Sequence, residues 1–228
     1  MDTPNRRSAI GALIAYGLIA LIHLIAHAFP VPDAQFTVVR VSQWLLMPTL
    51  ALLLWLATTN SRLRLTRLVL VALFFSWLGD TMPSWVGGGD ASFLTMVGFF
   101  LLAQIAYIAA FWPFRERSFL RVNHLALLTY VAAFVILVSI CAPGAGDLLI
   151  PVLIYGVLLT AMAVLASGLG RIGALGGALF FISDAMIAIR AFAPTSALPT
   201  NGVLVMTTYI AAQALLVAAV LQEKGTKV

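Results

Sequence analysis

Charge is what this sequence has least of. Its 228 residues hold eight Asp and Glu and thirteen Lys and Arg, 9% charged in all. A soluble domain carries about a quarter. With 62% hydrophobic residues and a mean hydropathy of +1.06, no soluble fold of this size hides so much apolar surface. The one cysteine, Cys141, excludes an internal disulfide and any Cys-based metal site, and reads as a small packing residue. The basic residues sit in short loops and tails, with no cluster dense enough to track phosphates, so the net charge of +5 points to no nucleic-acid partner. The apolar runs do not alternate in polarity, which argues against a transmembrane barrel.

What is present is a series of apolar runs. Eight can be read, at roughly 8–29, 40–58, 66–86, 92–113, 121–141, 147–167, 171–192 and 202–221. Each is near the ~20 residues that a spanning helix needs. The breaks "PVPDAQ", "TTNSRLRL", "GGGD", "PFRERSFLR", "APGAGD", "SGLGR" and "APTSALPTN" supply turn-forming residues. The expected fold is all-α: a polytopic integral membrane bundle of eight transmembrane helices. Residues 1–228 read as one membrane domain with short tails at about 1–7 and 222–228. The first run follows Arg6 and Arg7 and ends near "AHA", like a secretion signal. It is long for that role and seven runs follow, so it reads as a retained helix.

Basic residues set the expected orientation. With eight spans, one side holds Arg6, Arg7, Arg62, Arg64, Arg67, Arg115, Arg117, Arg121, Arg171, Lys224 and Lys227; the other holds Arg40 and Arg190. The positive-inside bias predicts a cell-membrane protein with both termini cytoplasmic.

The few polar residues inside the runs carry the functional signal. Asp80 in "LFFSWLGDTM" and Asp184 in "LFFISDAM" each follow a Leu-Phe-Phe lead and lie 104 residues apart. Pro48 and Pro151 are 103 apart, and Gln104 and Gln213 are 109 apart. These echoes suggest two parallel four-helix halves. Asp80 lies 13 residues after Arg67, and Asp184 13 after Arg171. At ~1.5 Å per residue both carboxylates fall about 20 Å into the membrane. An ionisable group there costs several kcal/mol or more and faces the bundle interior or a water cavity. Two carboxylates at one level would repel, so that one is protonated and the other ionised, an acid/base pair.

Ser76 stands one turn before Asp80, Gln104 and Tyr107 are three apart, Tyr209 and Gln213 are four apart, and Tyr155 lies in the sixth run. These are candidates to line a substrate cavity, although Tyr and Gln also serve as helix–helix glue. Arg190, six residues past Asp184 and about 120° round the helix, is a candidate headgroup ligand, as is Arg40; either also suits snorkelling to the interface. Trp77 and Trp85 are placed to line a lipid path. His23 and His27 lie one turn apart, with Asp33 the one evident third ligand, so no metal is expected.

"SWLGDTMP", "FFLLAQIAYIAAF", "GALFFISDAM" and "MTTYIAAQALLV", in this order, resemble the YhhN-like membrane proteins, which include the lysoplasmalogenases. The resemblance spans roughly residues 40–221. It implies an eight-helix enzyme that cleaves the vinyl ether bond of a lysoplasmalogen, releasing a fatty aldehyde and a glycerophospho-alcohol. It places Asp80 and Asp184 on the family's two acidic positions, and Tyr107, Tyr209 and Gln213 on polar helix positions. This chain departs at two places: a Lys-Pro pair common in the family is here Met47-Pro48, and a histidine of the fourth helix is here Gln104.

Vinyl ether hydrolysis suits such residues. A positioned acid protonates the β-carbon, and a nearby negative charge stabilises the oxocarbenium ion at the α-carbon. Asp184 is the expected acid and Asp80 its electrostatic partner, or the reverse, and this chemistry requires no cofactor. The expected partners are a membrane lipid or lysolipid and the bilayer. Buried carboxylates equally suit a proton-coupled transporter or a non-catalytic lipid-binding membrane protein.

Overall fold

The computed structural model describes residues 3–29, 35–58 and 64–223. Among them every regular element is helical. The long helices are α1 (Thr3–Ala28), α2 (Gln35–Ala57), α3 (Arg64–Thr81) and α4 (Gly89–Phe111), then, after the short α5 (Phe119–Val122), α6 (His124–Ala145), α7 (Leu149–Ala166), α8 (Arg171–Phe192) and α9 (Gly202–Glu223). Asp33, Arg62, Lys224 and Lys227, which entered the orientation and metal readings, lie outside the described residues. Arg6 and Arg7 stand on the first turns of α1.

Seven stretches are long and apolar enough to cross a bilayer, where the sequence predicts eight. The difference lies in His124–Leu169, a single 46-residue helical stretch. The predicted break "APGAGD" is narrower than its composition suggests. Pro143 is accommodated inside the last turn of α6, where its missing N–H gives up one backbone bond. The chain leaves the α conformation only at Gly146, with φ 49°, and a single 3-10 turn (Gly146–Leu148) leads into α7. Glycine takes that left-handed conformation without a side-chain penalty.

The described residues form two compact units, one up to Ala110 and one from Phe111 to Glu223. In the first, α2 packs against both α1 and α3. Its core includes Leu46, Met47, Leu50, Leu54, Leu73 and Tyr107, all fully buried. α1 contributes Ala9, Ala12, Tyr16, Ala20 and His23, spaced three or four residues apart so that they fall on one face. His23 and Ser42 join α1 to α2, with Nδ1 2.8 Å from Oγ. The single Ser42 proton is taken by the Val38 and Val39 carbonyls, at 2.6 and 3.0 Å, so His23 supplies the N–H.

Pro48 sits inside α2 and has no N–H to give the Trp44 carbonyl one turn back. In the first unit that carbonyl receives the Trp77 indole N–H of α3 instead, at 3.0 Å. A break in one helix is thus repaired by a side chain of its neighbour, as bilayer-spanning helices require of freed backbone groups.

In the second unit α8 is central, packing against α6, α7 and α9. The segment "GALGGALF" makes this possible. A Cβ on Gly177 would stand 2.7 Å from the Ala163 carbonyl oxygen of α7, and one on Gly176 3.1 Å from Leu216 of α9. Small residues of this kind let helix backbones approach where no hydrophobic effect drives association. At one end of this unit the Ser167 hydroxyl accepts the Phe119 N–H at 2.8 Å, and Arg117 pairs with Glu223 at 2.8 Å.

Candidate active site

Asp80 stands in α3 of the first unit and Asp184 in α8 of the second. In the first unit Asp80 is half-buried in the last turn of α3. Gln43 of α2 donates to its Oδ1 through Nε2 at 3.4 Å. Tyr16 of α1, 5% exposed, lies within electrostatic reach of Asp80, and Tyr107 of α4 within reach of Tyr16. Ser76, one turn before Asp80 on α3, is fully buried, as are Gln104 and Tyr107 on α4. Gly79, next to Asp80, lets the Phe100 ring of α4 lie against the α3 backbone: a Cβ there would be 2.6 Å from Cδ2 of Phe100. Four helices therefore each turn a polar side chain into this unit, beside the buried His23, Ser42 and Thr66.

In the second unit Asp184 is buried in the middle of α8, and the Tyr155 hydroxyl of α7 donates a hydrogen bond to its Oδ2. The neighbouring Ser183 donates to the Val205 carbonyl of α9 at 3.1 Å. Tyr209 and Gln213 of α9 are buried, with Gln213 Nε2 3.5 Å from the Tyr209 hydroxyl, and the Tyr209 ring meets Phe180 edge-on at 5.8 Å. Arg190 is exposed on the last turn of α8.

The two carboxylates are equipped differently. An amide nitrogen only donates, so the Gln43 Nε2 group offers Asp80 a donor and no acceptor. A tyrosine hydroxyl donates to a carboxylate and accepts from a carboxylic acid, so Tyr155 can partner Asp184 in either protonation state.

The sequence reading gathered these residues around one cavity; the structure places Ser76, Asp80, Gln104 and Tyr107 in one unit, and Tyr155, Asp184, Arg190, Tyr209 and Gln213 in the other. The sequence reading missed Gln43 and Tyr16. The signals were present: Gln43 is a lone amide in the apolar run "VSQWLLMP", and Tyr16 falls between Ala12 and Ala20 at four-residue spacing. Trp77 and Trp85 also acquire definite contacts. Trp85 stacks on Trp44, ring centroids 5.9 Å apart, while Trp77 donates to the Trp44 carbonyl. The His23 and His27 rings meet edge-on at 4.7 Å.

These observations define a multi-pass membrane protein, all-helical among its described residues, with Asp80 in one compact unit and Asp184 in the other. Comparison with known proteins places it further. The YhhN family model matches residues 40–220, and the chain belongs to the YhhN family. It is 31% identical over 184 residues to the rat protein named lysoplasmalogenase TMEM86B, covering 79% of this chain and 72% of that one. It is 33% identical over 166 residues to the human protein of the same name, covering 71% and 67%. No solved structure matches the chain. At the first departure noted above, Met47 is fully buried in α2, where a lysine would bring an ammonium into the core. At the second, Gln104 is fully buried in α4.

Proposed function

We propose that this chain is a lysoplasmalogenase-like hydrolase. It would cleave the vinyl ether bond of a lysoplasmalogen-type lysolipid to a fatty aldehyde and a glycerophospho-alcohol. The observation that carries the reading is the unequal equipment of the two carboxylates, Gln43 on Asp80 and Tyr155 on Asp184. The names of the relatives support the substrate class.

Asp184 is the acid. Its proton goes to the β-carbon of the vinyl ether, and Tyr155 donates to the carboxylate left behind. The cation at the α-carbon calls for a negative charge, and Asp80 is the second catalytic carboxylate of the proposal. Water adds to the α-carbon, and the proton it gives up restores the acid. The resulting hemiacetal collapses to aldehyde and alcohol. Ser76, Gln104, Tyr107, Tyr155, Tyr209 and Gln213 shape the polar surroundings of the two carboxylates.

In this reading His124–Leu169 crosses the membrane twice, because α6 and α7 are each 18 residues or longer and Gly146 turns the chain between them. That makes eight crossings, with both termini in the cytoplasm and the chain in the cell membrane.

The test is fatty-aldehyde release from lysoplasmenyl-ethanolamine by the purified protein, beside folded Asp80→Asn and Asp184→Asn variants. Release by the wild type and by neither variant is expected. A well-folded wild type that releases no aldehyde would remove the hydrolase reading and favour a proton-coupled carrier.

A further inference from the structure

Resting on the hydrolase reading, a second feature of α2 bears on how a lysolipid would be recognised. Arg40, Gln43 and Trp44 lie on one side of that helix, because residues three and four apart are neighbours on its surface. Gln43 reaches Asp80. Arg40 is half-buried, and its guanidinium stands 6.0 Å from the centroid of the Trp44 ring. The Trp44 ring stacks on Trp85, and its backbone carbonyl accepts from Trp77. A guanidinium set over a stacked ring is held in place by it, and its planar fork matches two oxygens of a phosphate.

We propose that Arg40, braced on Trp44, binds the phosphodiester of the lysolipid headgroup and so registers the substrate against Asp80. The spacing fits. Arg40 precedes Gln43 by about one helical turn, a rise of ~5 Å. In a lysoplasmalogen the phosphate and the ether oxygen sit at opposite ends of one three-carbon glycerol, a separation of the same order. A headgroup held at Arg40 thus leaves the ether end of the glycerol one turn further along α2, at the level of the Gln43–Asp80 pair.

Arg190, the other arginine on the same predicted side of the membrane, lacks these features. It is exposed, and it points about 120° away from Asp184 round α8. Trp85, 72% exposed beside Trp44, suits the membrane interface where a headgroup resides.

The test is binding of a saturated 1-alkyl-lysophosphoethanolamine, which has no vinyl ether to protonate, to the full-length protein in detergent. Its phosphate-free counterpart, 1-alkylglycerol, is titrated in parallel, with intrinsic tryptophan fluorescence as the readout. Arg40→Gln is expected to weaken the phosphate-bearing ligand tenfold or more and to leave 1-alkylglycerol unchanged. Arg40→Lys falls between, and it serves alone if Arg40→Gln does not fold. Arg171→Gln, an exposed charge removed elsewhere, alters neither ligand. Equal affinity of wild type and the Arg40 variant for the phosphate-bearing ligand overturns the proposal. Diacyl phosphatidylethanolamine competing as well as the lysolipid would make this a bilayer-headgroup site and overturn the substrate assignment. Aldehyde release is scored separately: Arg40-dependent binding without release sinks the hydrolase reading and leaves the phosphate site standing, whereas release with Arg40-independent binding does the reverse.

Discussion

Replacing Trp77 by Phe should destabilise the protein through a carbonyl one helix away. Pro48 cannot donate to the Trp44 oxygen, and the Trp77 indole supplies the missing bond at 3.0 Å. Phe keeps most of the ring and removes the donor. A buried acceptor left unsatisfied costs about 1–3 kcal/mol, while hydrogen bonds between membrane helices average about 0.6 and reach about 1.7 kcal/mol. The hydrogen-bond part of Trp77→Phe should therefore be about 1–2 kcal/mol, with a further contribution from the smaller ring. The two parts are separable. Pro48→Ala restores a backbone N–H to the Trp44 carbonyl, so in that background Trp77→Phe should cost only the ring packing. A double-mutant cycle on reversible unfolding in mixed micelles should then give a coupling of about 1–2 kcal/mol. Equal destabilisation by Trp77→Phe in both backgrounds would refute the repair argument, however large the single effect.

Four further outcomes follow from the same geometry. Gly177→Val forces a side chain onto the Ala163 carbonyl 2.7 Å from the Cβ position, and should cost about 1–3 kcal/mol or more in unfolding measurements, whereas Gly11→Ala, with open space around it, should change stability little. Asp184→Asn should lower kcat for aldehyde release by about 10²–10⁴-fold, the range of a general acid. Tyr155→Phe should lower kcat by about tenfold or more with KM nearly unchanged, since a hydrogen bond to a charged group contributes about 1.5–3 kcal/mol; a KM effect alone would reduce Tyr155 to a binding role. In a Cys141→Ser background, a cysteine at exposed Glu116 should react with an impermeant maleimide only after the cells are opened, and labelling of intact cells would overturn the cytoplasmic assignment of the loop after α4.

How far the sequence could be read depended on which property carried the information. Spanning length and loop composition are one-dimensional, so the helical class and most helix positions were legible from hydropathy and breakers. The exception was residues 142–148, where Pro143 and two glycines read as a wide break. Whether such a run becomes a loop or a single 3-10 turn depends on how closely α6 and α7 are held, and that is a tertiary property. Glycine proximity is of the same kind. "GALGGALF" announces small residues, but not that Gly177 faces the Ala163 carbonyl while Gly176 faces Leu216.

For the candidate site, rarity was the guide: a carboxylate costs so much in an apolar helix that Asp80 and Asp184 stood out at once. Amides and phenols cost less and serve as ordinary helix glue, so Gln43 and Tyr16 gave no comparable contrast in the sequence. Partnership is where sequence reasoning stopped. Asp80 and Asp184 look alike in their Leu-Phe-Phe settings, yet Asp80 accepts from an amide, with the Tyr16 phenol also within reach, whereas Asp184 accepts from the Tyr155 phenol. The asymmetry that an acid and its counter-charge need therefore does not reside in the echoed motifs. It comes from the neighbouring helices: α2 supplies Gln43 from position 43, and α7 supplies Tyr155 from position 155. If so, exchanging the partners should change how the two carboxylates divide the work. Gln43→Tyr together with Tyr155→Gln should shift the acid role toward Asp80, so that Asp184→Asn costs less turnover in that background than in the wild type. An unchanged cost would mean that something other than these two donors separates the carboxylates.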